Sequence, residues 1–163
     1  MSLETLNALP APEFARRLGG VFEASAWVAE AVAPLRPFGS VRDLHAAMVA
    51  AVAAAGPEAQ LALVRAHPDL GARLRMSAES VSEQAGAGLD RLPPGLFARF
   101  SGLNAAYRER FGFPFVIAVR GRTREAILEA FERRLGHDPS AELEAALREI
   151  AEIARFRLED LAG

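Results

Sequence analysis

The residues in this chain best suited to chemistry begin at His67, which is followed directly by Pro68, then Asp69, Leu70 and Gly71. A proline disfavours helical dihedrals at the residue before it, so His67 belongs at a break in the chain, where an imidazole can face a cleft. Further on come Ser80, Glu83 and Gln84. Their i, i+3, i+4 spacing puts a hydroxyl, a carboxylate and an amide on one face of a helix. An imidazole at a break beside such a face is what a small-molecule acid/base site requires. A helix end followed by a solvated face gives the same pattern, and so does a helical module that binds a partner through a groove.

Composition narrows the chemistry. All 19 basic residues are arginine and there is no cysteine. A lysine Schiff base, a thiolate nucleophile, a disulfide and a thiol-held metal are therefore impossible. The three histidines, His45, His67 and His137, are far apart and lack zinc-ligand spacing, so no metal site is expected. Gly86-Ala87-Gly88 follows a polar helix and not a strand, which argues against a phosphate loop. A net charge of −2 provides no broad basic footprint for nucleic acid. No apolar run approaches the roughly 18 residues of a membrane span. The chain opens with no export signal, so cytoplasmic residence is expected.

At 163 residues, with 51% hydrophobic residues and abundant alanine, the chain reads as one all-α domain, a compact multi-helix unit over 1–163. Helices are expected over 12–18 and 23–33. Others should follow a Ser40 cap, from Pro57 to the His67-Pro68 break, and after a Ser77 cap. Pro93-Pro94 opens a longer helix with Leu96, Phe97, Phe100, Leu103 and Tyr107 inward. Another starts near Thr123, with Ile127, Phe131 and Leu135 buried. After a turn holding a solvated His137, Ser140 is expected to cap a final helix that ends near Leu161. The exception is 111–119, Phe-Gly-Phe-Pro-Phe-Val-Ile-Ala-Val, which reads as a buried extended connector. Its backbone polar groups need partners, whether side chains, water or a bound ligand.

The last helix carries an apolar stripe of Leu143, Leu147, Ile150, Ala154, Leu158 and Leu161. At about 100° per residue, Arg157 falls about 20° from Ile150, on the margin of that stripe. Arg148 and Arg155 point away from it. An arginine entering a core needs an anion, either an internal carboxylate or a substrate.

Four blocks in order resemble the 2-oxo-4-hydroxy-4-carboxy-5-ureidoimidazoline (OHCU) decarboxylases of uric acid degradation. They are His67-Pro68-Asp69-Leu70, Ser80-x-x-Glu83-Gln84-x-Gly86-x-Gly88-Leu89, Asn104-x-x-Tyr107-x-x-Arg110-Phe111-Gly112-Phe113-Pro114-Phe115-Val116-Ile117 and Glu149-Ile150-x-x-Ile153-Ala154-x-x-Arg157-Leu158. The resemblance spans about residues 10 to 162. It implies an all-helical, cofactor-free homodimer that converts OHCU to (S)-allantoin and carbon dioxide. It assigns catalysis to His67, Glu83 and Arg157, and substrate contacts to Pro68, Ser80, Gln84 and the backbone of Phe115, Val116 and Ile117. Gly71 stands where the family commonly has alanine, and Arg110 where it has lysine. The final Leu161-Ala162-Gly163 lacks the peroxisomal signal of some eukaryotic members.

Overall fold

The computed structural model describes residues 1–71 and 78–163, and the described residues are all-α, with nine α-helices, two 3-10 turns and no strand. The Ser77 cap lies outside the described residues. The chain divides into two compact units, residues 1–66 with 151–163, and residues 67–150. No single helix among the described residues is long and apolar enough to cross a membrane.

The first unit contains α1 (Leu3–Ala8), α2 (Ala11–Arg17), α3 (Trp27–Val32), α4 (Val41–Ala54), α5 (Pro57–Arg65) and the last part of α9 (Pro139–Ala162). The sequence reading starts the helices at residue 12 and misses α1. Ser2 caps α1 by accepting from the Thr5 N–H at 3.1 Å, and Leu6 is its buried anchor. The helix expected over 23–33 begins only at Trp27. Ala24 has a φ of +46°, and the Ser25 hydroxyl donates to the Glu23 carbonyl at 2.8 Å. Such local side-chain bonds compete with helix formation, and they hold Glu23 in a turn. Ser40 caps α4 as expected, accepting from Asp43 N–H, and Leu44, Met48 and Val52 face the core. Helix α3 packs on α2 and α4.

The second unit contains α6 (Ala78–Gly86), α7 (Pro94–Phe111), α8 (Arg124–Leu135) and the first half of α9. Gly112, at a φ of +77°, ends α7 in the left-handed conformation that glycine adopts without strain. The next seven residues, 113–119, are buried and form neither helix nor strand, which makes them the buried connector expected there. Two of the connector's backbone groups find side chains. The Val116 carbonyl accepts from Arg134 Nη1 at 2.8 Å, and the Ala118 N–H donates to Glu149 Oε1 at 3.2 Å.

Arg134 is held in turn by Glu142, whose carboxylate is 0% exposed. Glu142 Oε1 accepts from the Tyr107 hydroxyl at 2.6 Å and from Arg134 Nε at 2.8 Å. His137 Nδ1 lies 3.1 Å from its other oxygen. The Arg134 guanidinium also sits 4.4 Å from the centre of the Phe115 ring, which stacks on Phe131 at 4.0 Å. One expectation is extended and one corrected here. His137 is exposed in its turn, as expected, and it is also bonded to a buried carboxylate. The last helix starts at Pro139 with Asp138 before it, and Ser140 donates to Asp138 Oδ2 at 2.6 Å instead of capping. Proline is well suited to that first helical position, because its missing N–H would have had no helical partner.

Burial pushes the Tyr107 hydroxyl far above its ordinary value, and the bond to Glu142 adds to the shift. Tyr107 is the only tyrosine, and the chain lacks lysine and cysteine. Titration at 295 nm should therefore show no tyrosinate in the folded protein above pH ~10, where free tyrosine ionises. Below that pH the contribution to stability is complete. Above it only the unfolded chain loses the proton, so stability should fall by about 1.4 kcal/mol per pH unit. Tyrosinate and loss of helical circular dichroism should appear together. A phenolate forming near pH 10 with the helices intact would contradict the burial.

Candidate active site

In the second unit His67 is buried at the start of a short loop running to Gly71. This loop is clamped from two helices. Gln84 on α6 accepts from the Gly71 N–H at 2.9 Å and donates to the Asp69 carbonyl at 3.4 Å. From α7, Asn104 donates to the Leu70 carbonyl at 2.9 Å, and Arg108 Nε donates to Asp69 Oδ1 at 2.8 Å. Gly71 has a φ of +69°, and a Cβ there would come within 2.8 Å of Leu92 Cδ1. Glycine is thus suited to this turn on both conformational and steric grounds.

Helix α6 carries Ser80, Glu83 and Gln84 on one face, as their spacing dictates. Ser80 and Gln84 are buried and Glu83 is half-buried. Gln84, expected as a substrate contact, spends both ends of its amide on the loop that carries His67. It thereby fastens that loop to the helix bearing Glu83. Pro68 is half-buried beside His67. The side chains of Phe115, Val116 and Ile117 are buried in the connector, and the Val116 carbonyl is already taken by Arg134.

Arg157 belongs to the first unit and is 7% exposed. The helical angle placed it on the margin of the stripe, and the structure buries it. Its Nη1 donates to the Gly20 carbonyl at 2.8 Å and lies 2.9 Å from Glu23 Oε2. Glu23 is buried too, and the sequence reading missed it, because it placed residue 23 inside a helix. Arg148 is exposed, and Arg155 pairs with Glu152 and Glu159 on its own helix. Among the described residues no group of three or more histidines, aspartates or glutamates could hold a metal ion. What the two units offer is an imidazole, a carboxylate, an amide and hydroxyl, and a buried guanidinium.

Comparison with known proteins assigns the class. The family described as OHCU decarboxylase matches residues 7–159. The chain is 45% identical over 161 residues to the 2-oxo-4-hydroxy-4-carboxy-5-ureidoimidazoline decarboxylase of Halalkalicoccus jeotgali, covering 99% of this chain and 92% of that one. It is 44% identical to the uric acid degradation bifunctional protein PucL of Bacillus subtilis, covering 98% of this chain and 32% of that longer one. The crystal structure of an (S)-allantoin synthase superposes with a TM-score of 0.82 at 34% identity, over 99% of this chain and 54% of that one. The chain belongs to the OHCU decarboxylase family.

The Glu23–Arg157 pair carries a stability test. Removing one partner of a buried ion pair leaves an uncompensated charge, at a cost of about 3–5 kcal/mol. Glu23→Ala should lose about that much in urea unfolding, whereas Glu152→Ala, which breaks an exposed pair, should lose under about 1 kcal/mol. Equal losses in the two variants would show that the buried pair has no special weight.

Proposed function

We propose that this protein decarboxylates OHCU to (S)-allantoin and carbon dioxide in the degradation of uric acid, and does so without a cofactor. The observation that carries the activity is the match to decarboxylases over nearly the whole chain. The resemblance supports a homodimer in the cytoplasm.

The substrate makes a cofactor unnecessary. Breaking the bond between C4 and the carboxylate releases an electron pair, which many enzymes hand to pyridoxal or thiamine. OHCU has its own sink, the ring C=N bond next to C4. The pair forms a C4=C5 double bond and pushes the C=N π electrons onto the ring nitrogen, which takes up a proton, giving an enol-like intermediate. The C4 hydroxyl then loses its proton as the ring carbonyl forms, and C5 gains one. The protein must hold the carboxylate out of the ring plane and deliver that proton to one face.

In this reading His67 meets the C4 hydroxyl and takes its proton. Three clamped residues, Asp69, Leu70 and Gly71, keep its loop in place. Glu83 orients the ring or ureido N–H groups and shares the proton transfer. Arg157 binds anionic or carbonyl oxygens, with Glu23 and the Gly20 carbonyl fixing the plane of its guanidinium. Ser80, Pro68 and the Phe115–Ile117 backbone complete the substrate contacts, and Gln84 contributes through the position it gives the loop.

Freshly generated OHCU, followed by its decay and by the optical activity of the product, tests the reaction. Wild type should form (S)-allantoin rapidly. His67→Asn keeps a polar side chain of similar size but cannot shuttle a proton near neutrality, so turnover should fall by about 10²–10⁴-fold while analogue binding survives. Glu83→Gln should impair turnover more than folding. Arg157→Lys loses the planar fork, so binding and turnover should both fall. A His67→Asn protein with wild-type speed would remove His67 from the chemistry.

The cofactor-free reading has its own check. Dialysis against EDTA should leave turnover unchanged. A loss that added metal restores would overturn this part of the proposal while leaving the reaction in place.

A further inference from the structure

A cavity of about 320 Å³ lies within the second unit, and five of its lining residues are basic: Arg122, Arg133, Arg134, His137 and Arg148. The only carboxylate in the lining is Glu149. Such clustering runs against the composition of a chain whose net charge is −2. The volume is at the lower end of the range for metabolite pockets, about 300–1,000 Å³.

Internal pairing accounts for only part of this charge. Arg122 is 3.1 Å from Glu149, and Arg134 is held by the buried Glu142. Arg134 Nη2 nevertheless remains buried with no hydrogen-bond partner. Arg133 and Arg148 make no ion pair among the described residues, although they come from different helices to the same cavity. The dipole of α8 explains basic residues in its last turn, where Arg133 and Arg134 stand. It does not explain Arg148 in the middle of α9, or Arg122 before α8 begins. Gathering like charges around a concave space costs energy unless an anion offsets it, and a cleft of one sign concentrates anions.

We propose that this cavity is a binding site for a small ligand bearing carboxylate or phosphate oxygens, separate from the catalytic residues. Guanidinium groups match both oxyanions, through paired N–H donors in a fixed fork. Arg133 and Arg148 supply the charge, and the half of the wall that Arg134 contributes is already fixed by Glu142. Of the residues assigned to OHCU, only Ile117 shares a wall with the cavity, and His67, Glu83 and Arg157 do not line it. Arg134 links the site to the connector, because the same guanidinium holds the Val116 carbonyl.

Isothermal titration calorimetry at constant ionic strength tests the site, with inorganic phosphate in one arm and succinate in the other. Both are titrated into wild type, Arg133→Ala/Arg148→Ala and Arg157→Lys. The two alanine positions are exposed on helices, where alanine is well tolerated, and a thermal melt confirms that the double variant is folded. Wild type should bind at least one anion saturably. The double variant should bind it at least tenfold more weakly, and Arg157→Lys should retain it. The tighter arm identifies phosphate or carboxylate as the natural group. Absence of saturable binding to wild type, or binding unchanged in the double variant, would overturn the proposal. So would binding lost only in Arg157→Lys, which would put the anion at the catalytic arginine. Neither result bears on OHCU turnover, which is measured separately.

Discussion

A carboxylate that no water reaches organises the second unit. Glu142 would be costly to bury alone, since an unpaired charge in a protein interior is among the most destabilising groups a fold can contain. Its oxygens are instead met by a phenol, a guanidinium and an imidazole. That arrangement fixes Arg134, and Arg134 then does what a neighbouring strand does in a sheet: it donates to the backbone of a non-helical segment. The Phe115–Phe131 stack under the guanidinium seals the arrangement with apolar contact. An all-helical protein thus keeps seven buried non-helical residues without building a ladder for them.

The same economy recurs at smaller scale around His67. Three side chains, from α6 and α7, bond to residues 69–71, so the loop bearing the imidazole is held from both helices. In the first unit a turn that cannot be helical, with Ala24 at positive φ, presents Glu23 to Arg157. In both places irregular backbone is made rigid by side chains from regular elements. That is the condition for holding functional groups to the tolerance catalysis needs.

How much of this could be read from the residues depended on the range of the interaction concerned. Local signals were legible. Ser40 and Thr123 cap their helices through the N–H three residues on, and 113–119 stays out of any helix because it is apolar and proline-interrupted. The motif around Ser80, Glu83 and Gln84 was legible as one face, though not that Gln84 turns inward to the loop. Partners distant in sequence were not legible. Glu142 sits in the first turn of a helix, where an acid is ordinary because it complements the dipole, so nothing local betrays its burial. The need for an anion near Arg157 followed from its angle on the helix. That Glu23 supplies it could not follow while residue 23 was read as helical. Helix α1 was missed because six residues give too little periodicity, although the Ser2–Thr5 cap was there to see.

The connector has one more consequence, for the life of the unfolded chain. Phe113 to Val119 is rich in aromatic and β-branched residues and carries no charge, a composition that drives chains to stack as fibrils when it is exposed. In the folded protein the segment is buried and two of its backbone groups are bonded to side chains, which keeps it from other molecules. Pro114 interrupts the run during the interval before those bonds form, acting as a gatekeeper against aggregation. The segment is safe only as long as the buried network around Glu142 holds it, which ties the solubility of the protein to an ion pair deep in its interior.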